Sequence, residues 1–164
     1  MQAQKYRTSA THIKKHKWKS PQQLSSKSRP TQIGSDSPRY GRQYMPTILV
    51  IDDAAPIRLL LSTALQSAGY NVVEAPSGRE GLALYRQHPS DVVIVDMLMP
   101  ELNGLDTIME FTREFMNVKV IAVSGMDSDQ TMLQTAKLLG ARQTLVKPFD
   151  LPTLLHAVQY ELQH

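Results

Sequence analysis

Val92-Val93-Ile94-Val95-Asp96-Met97-Leu98-Met99-Pro100 is the stretch on which the fold of this chain turns. Four β-branched residues run without polar alternation into a single carboxylate. An unbroken apolar run of that length reads as a strand buried on both faces, which favours a parallel sheet. A charge closing such a strand lies at the sheet's carboxyl edge, where open α/β sheets place their ligand sites. Taken alone, Asp96 reads as a strand-end cap; its meaning depends on what the rest of the chain brings beside it.

Working outward, Ile48-Leu49-Val50-Ile51 is a second continuous apolar run, and it too ends in carboxylates, Asp52 and Asp53. Ile57, Leu60, Leu61, Ala64, Leu65 and Ala68 then recur at helical spacing, with Pro56 in the first turn and Gly69 as terminator. Residues 71–75 read as a short strand, and Ser77 as the N-cap of a helix through Gln87. After the Asp96 strand and a loop to Gly104, a helix is expected with Leu105, Ile108, Met109, Thr112 and Phe115 on its inner face. Met97, Leu98 and Met99 read as loop packing rather than a methionine-rich groove. Residues 118–123 read as a fourth strand ending in Ser124-Gly125, and 128–139 as a helix stopped by Gly140. Residues 143–146 are a fifth strand ending in Lys147-Pro148, and Asp150 caps a last helix with Leu151, Leu154, Leu155, Val158 and Leu162 inward. Five strand–helix units in strict alternation predict an α/β, doubly wound five-stranded parallel sheet.

The totals set the frame. A chain of 164 residues holds one domain with a sizeable core and a tail. Cysteine is absent, which removes disulfides, a thiolate nucleophile and Cys-based zinc sites, and suits a cytoplasmic location. No stretch approaches the roughly 18 apolar residues of a membrane span, so no membrane insertion is expected. The net charge of +3 conceals a division. Residues 1–44 carry ten Lys/Arg against the single acid Asp36, whereas residues 45–164 carry eight against fourteen acids. Residues 1–44 also lack apolar periodicity and read as a disordered basic extension, with 45–164 as the domain. Met45 is an alternative start that would leave the extension untranslated. The cluster Lys14-Lys15-His16-Lys17-Trp18-Lys19 has the groups to grip a phosphate backbone, but a charge run by itself reads as a solvated tail, and nucleic acid is not an expected partner.

Four of the five strands therefore deliver a polar group at their carboxyl ends: Asp52 and Asp53, Asp96, Ser124, and Lys147. Three carboxylates held together repel, so such a site binds a cation or holds protons. Oxygen ligands without His or Cys favour a hard ion such as Mg²⁺. Lys147 is a point charge suited to a phosphoryl oxygen, the Ser124 hydroxyl can donate to another, and Gly125 leaves room for the group. A carboxylate beside Mg²⁺ and a lysine is a nucleophile toward phosphorus, which makes this an aspartyl-phosphate site.

These motifs, in this order and spacing, resemble the receiver domain of bacterial two-component response regulators over residues 46–163: Asp52-Asp53, Asp96 to Pro100 with Gly104 eight residues after the aspartate, Ser124-Gly125, and Lys147-Pro148-Phe149. The resemblance implies that Asp96 accepts a phosphoryl group from the phosphohistidine of a sensor histidine kinase. It implies that Asp53 ligates Mg²⁺ directly and Asp52 through water, the Leu98 backbone carbonyl completing the protein ligands beside Asp96. Ser124 and Lys147 would hold the phosphoryl oxygens, and the Lys147–Pro148 bond would be cis. The implied strand order is the flavodoxin-like 2-1-3-4-5, with the site at the switch point between strands one and three.

One position departs from the family pattern. Three residues before the lysine, where many receivers carry a Tyr or Phe that turns inward on activation, this chain has Thr144, too small to fill the vacated space. No output domain follows His164, so the expected protein is a stand-alone receiver acting on an unknown downstream protein. It is expected to assist its own phosphorylation and slow dephosphorylation without being an enzyme in the turnover sense. A phosphatase or phosphotransferase with an aspartyl-phosphate intermediate is the alternative from a different class. Enzymes of that type need a second acid two residues past the nucleophile, and Leu98 stands there. A nucleic-acid binder led by residues 1–44 is the third reading, marked by salt-dependent affinity.

Overall fold

The computed structural model describes residues 44–164 except 101–102 and 126–129. Residues 1–43 of the basic extension, with the Lys14–Lys19 cluster, and the expected start of the fourth helix at 128–129 lie outside the described residues. Ten elements alternate in chain order: β1 (Thr47–Ile51), α1 (Ala55–Ser67), β2 (Asn71–Ala75), α2 (Gly78–Gln87), β3 (Val92–Asp96), α3 (Gly104–Glu114), β4 (Val120–Ser124), α4 (Gln130–Leu138), β5 (Gln143–Val146) and α5 (Leu151–Gln163). The strands form one parallel sheet in the order β2-β1-β3-β4-β5, as expected.

The unbroken apolar runs lie where the argument from burial puts them. Every residue of β3 and β4 is buried, as are residues 48–51 of β1. Their side chains alternate between two cores. Leu49, Ile51, Val93, Val95, Val120 and Ala122 face α2, α3 and α4, whereas Ile48, Val50, Val92, Ile94, Ile121 and Val123 face α1 and α5. A central strand with helices on both sides has no wet face, so both of its side-chain rows must be apolar. Register then aligns the strand ends: Ile51 pairs with Val95, Asp96 with Val123, and Ser124 with Val146.

Caps fix the helix limits. The Ser77, Asn103 and Asp150 side chains accept the N–H groups of Glu80, Asp106 and Thr153 at the starts of α2, α3 and α5. After α4, Gly140 takes φ of 111°, a left-handed conformation that glycine adopts without a Cβ penalty.

In two helices one residue of the face that hydropathy selects is exposed, while the others lie buried or partly buried as expected. In α3 the innermost residues are Thr107, Ile108 and Phe111, while Met109 is 41% exposed. The seam is set by Gly104, which lies so close to the preceding loop that an added Cβ would stand 2.5 Å from the Met97 Cα and 2.6 Å from the Asp96 carbonyl oxygen. The aromatic cluster of Tyr85, Phe111 and Phe115 then locks the other end, Tyr85 meeting Phe111 edge-on at 5.3 Å. In α5, Leu151 is largely exposed, and the polar Glu161 is buried instead because Arg142 and Gln143 reach its carboxylate at 3.2 and 2.8 Å. At the opposite limit of the domain, the Tyr44 hydroxyl donates to Asp91, whose other oxygen accepts the Thr47 N–H at 2.7 Å. The last residue assigned by sequence to the extension is thus tied to the loop before β3.

Gly104→Ala is expected to destabilise the protein by about 1–3 kcal/mol, the range for overpacking against backbone, because its Cβ meets main chain that cannot rotate aside. Urea denaturation of the two proteins measures it.

Candidate functional site

Residues from β1 and β3 and the residue after β5 meet at the carboxyl edge of the sheet. Asp52 follows β1 and Asp96 closes β3, the next positions after the Ile51–Val95 pair. Carboxylate oxygens of Asp52, Asp53 and Asp96 all lie within 4.8 Å of one another. Asp52 and Asp96 are buried and Asp53 is exposed, so the cluster opens to solvent on one side. The Lys147 Nζ sits between the two buried acids, 3.0 Å from Asp52 Oδ2 and 2.9 Å from Asp96 Oδ1. The Lys147–Pro148 bond that follows is cis, as the resemblance implies.

Backbone donors complete the hold. The Ala54 N–H donates to Asp52 Oδ1 at 2.9 Å, and the Leu98 N–H to Asp96 Oδ2 at 3.2 Å. Ser124 ends β4 wholly buried, and its hydroxyl has no hydrogen-bond partner among the described residues. Leaving a buried hydroxyl unpaired costs about 1–3 kcal/mol, so such a group calls for an explanation. The Ser124 carbonyl accepts the Lys147 N–H at 2.6 Å, which ties these two side-chain positions through the main chain.

Burial raises the Asp96 pKa above its ordinary value, aided by the Asp52 charge and opposed by Lys147 and the Leu98 N–H. For Lys147 burial pulls downward, but the hydrogen bonds and charges of Asp96 and Asp52 outweigh it and leave the ammonium above the usual lysine value. Three carboxylates and one ammonium leave a net deficit that one divalent cation balances. All the donors are hard oxygens, so the residues present fit Mg²⁺.

The sequence-selected residues Asp52, Asp53, Asp96 and Lys147 are brought together, and Ser124 stands at the adjoining strand end. Leu98 lies in the loop with its side chain 52% exposed, while Met97 and Met99 are buried, so two of the three pack and Leu98 does not. The Leu98 side chain points toward Gly125, where an added Cβ would be 3.9 Å from its Cδ1. Thr144 pairs with Ala122 inside β5 and is half-buried. Sequence reasoning missed Arg58, whose guanidinium Nη1 donates to the Asp52 carbonyl at 2.6 Å. An arginine six residues past an aspartate carries no signal by itself; only the turn into α1 brings it back.

The pattern described as "Response regulator receiver domain" matches residues 48–159. The chain belongs to that family. It is 37% identical to the chemotaxis protein CheY of Thermotoga maritima over 112 residues, 68% of this chain and 92% of that one. With the protein PilH of Pseudomonas aeruginosa it shares 36% over 116 residues, 70% of this chain and 95% of the relative. The crystal structure of the Vibrio cholerae chemotaxis protein CheY4 superposes with a TM-score of 0.67 at 33% identity, covering 73% of this chain and all of that one, 100%. Receiver domains of this type are signalling phosphoacceptors served by histidine kinases rather than turnover enzymes. Among the described residues no helix is long and apolar enough to cross a membrane.

The raised Asp96 pKa has a sign that stability can read. The native state binds its proton more tightly than the unfolded chain, so this residue's contribution is fully present below the ordinary Asp value of about 3.9 and is lost as pH rises through the higher native value. Asp96→Asn is therefore expected to have a higher urea midpoint than wild type at pH 7 in chelator, with the gap narrowing toward pH about 4. A wild type more stable than the variant at pH 7 would contradict the assigned cause.

Proposed function

We propose that this receiver accepts a phosphoryl group on Asp96 from a sensor histidine kinase, with Mg²⁺, and signals in the cytoplasm through contacts with a downstream protein. The reading is carried chiefly by Lys147, whose ammonium spans Asp52 and Asp96 beside a third carboxylate. In the transfer, an Asp96 carboxylate oxygen forms the new bond to phosphorus. The phosphorus–nitrogen bond of the phosphohistidine breaks, and the imidazole nitrogen keeps the electron pair. Lys147 turns its ammonium from the Asp96 carboxylate to a phosphoryl oxygen, and the Ser124 hydroxyl donates to a second oxygen. Asp52, Asp53, Asp96 and the Leu98 carbonyl would hold Mg²⁺, which supplies charge neutralisation at the incoming phosphoryl group.

Mg²⁺ is expected to raise the melting temperature by binding only the native state. Incubation with acetyl phosphate and Mg²⁺ should add one phosphoryl group to the intact mass. Asp53→Ala should abolish both the stabilisation and the modification. Undiminished phosphorylation of that variant would remove the metal assignment.

The persistence of the phosphoryl group follows from what borders it. Hydrolysis needs a water in line with the leaving carboxylate oxygen, and positioning supplies much of the rate. Polar groups two residues after the phosphoacceptor and two after the Ser/Thr can orient that water. Here those positions are Leu98, which offers no hydrogen bond, and Met126, which lies outside the described residues. Loss of an orienting group costs rate toward the low end of about 10²–10⁴. Phospho-Asp96 is expected to last minutes or longer in purified protein, and Leu98→Asn with Met126→Glu to shorten it. A wild-type half-life of seconds, or no change in the double variant, would refute this.

A further inference from the structure

Arg58 lies in the first turns of α1, and its guanidinium makes two contacts that no phosphoryl chemistry uses directly. Nη1 donates to the Asp52 carbonyl oxygen at 2.6 Å, and Nε meets Glu74 Oε2 of β2 at 3.3 Å. The side chain is only 15% exposed, so the fork is held rather than waving in solvent. Glu74 pairs in register with Val50, two residues before Asp52. The guanidinium thus bridges two neighbouring strands at the height of the acidic cluster.

The carbonyl it grips belongs to the peptide unit joining Asp52 to Asp53. That unit is planar, so holding its oxygen also fixes where the Asp53 nitrogen and Cα lie. Asp52 is otherwise well restrained: its N–H donates to the Ala75 carbonyl at 3.2 Å, and its carboxylate meets Ala54 and Lys147. Asp53 is exposed, yet its carboxylate must stay within reach of the other two. We infer that Arg58, oriented by Glu74, is a positioning residue that aims the Asp53 carboxylate at the cation site by clamping the Asp52 carbonyl. This rests on the Mg²⁺ site proposed above.

Two effects of removing Arg58 have opposite signs. Its positive charge near three carboxylates repels a bound cation, so loss of charge alone would tighten Mg²⁺ binding. Loss of a partner that orients a metal ligand instead weakens binding, typically by about 10–100-fold. The clamp predicts that the second effect wins. A guanidinium also supplies a planar fork that an ammonium does not, so lysine can keep the carbonyl bond or the Glu74 contact but not both in the same geometry.

The test is the Mg²⁺ dissociation constant of the full chain by titration calorimetry, with the metal-free melting transition recorded alongside. Arg58→Met is expected to raise Kd about tenfold or more while still melting cooperatively in chelator. Arg58→Lys should recover part of the loss, and Glu74→Ala should give a smaller rise in Kd in the same direction. If Arg58→Met does not fold, Glu74→Ala carries the test, because it leaves the carbonyl bond available and removes only the orienting partner. A Kd unchanged or lowered in Arg58→Met, or unchanged in Glu74→Ala where the first variant does not fold, overturns the clamp and leaves the metal site intact. If wild type itself binds no Mg²⁺, the metal site and the clamp fall together.

Discussion

Two buried carboxylates share one ammonium at the carboxyl edge of the sheet, and the arrangement of the domain around that edge follows from what this requires. Charges so close to an apolar interior are tolerated only when paired and hydrogen-bonded. Lys147 meets both acids, and the N–H groups of Ala54 and Leu98 take the remaining oxygens. Bringing the lysine there needs β5 on the far side of β4 while Asp52 arrives from β1, so the four strands β1, β3, β4 and β5 must be in register before the pair exists. The apolar rows of β1, β3 and β4 supply that register, because a slip of one residue would exchange the two cores. Packing of the sheet and charge at its edge are consequently a single constraint.

Most of this was legible from residue types. Two continuous apolar runs ending in Asp, and the alternation of five strands with amphipathic helices, leave few arrangements other than a parallel sheet with the acids at one edge. The polar cluster was legible because strand ends are defined by the same residues that stop the apolar runs. The helix faces were less so. Hydropathy placed Met109 and Leu151 inward with residues that do pack, but both are exposed, while the close seat of Gly104 in α3 and the partners of Glu161 in α5 bury other positions. Those are contacts between elements distant in sequence, and periodicity within one helix carries no information about them. Arg58 was invisible for the same reason: its role depends on a carbonyl and a carboxylate from two other elements.

The departure at Thr144 bears on how a phosphorylated state would be read. With no aromatic ring to turn inward, a signal from the site must travel by another route. Ser124 and Lys147 are joined by a 2.6 Å main-chain hydrogen bond, so a shift of the Ser124 backbone is passed directly to the end of β5. β4 itself is sealed on both faces and paired on both edges, which makes it a poor element to bend. A change at the site would therefore be passed through that hydrogen bond to the turn at Lys147 rather than taken up by bending of β4.

The Ser124 hydroxyl, buried and without a hydrogen-bond partner among the described residues, would favour such a change under the proposed phosphoryl transfer. An unpaired buried hydroxyl costs about 1–3 kcal/mol, which a phosphoryl oxygen placed as proposed would relieve. A population shift can be no larger than the difference in interaction free energy between the two states. On its own this difference would move an equilibrium by roughly 5- to 150-fold, enough to invert a modest bias but not to reach complete switching, which needs about 10⁴-fold. Lys147 adds to it only to the extent that it prefers the phosphoryl oxygens over the two carboxylates it already holds. Under the proposed function such a receiver would respond as a graded shift, and a partner that binds the phosphorylated form would complete it by contributing its own binding energy.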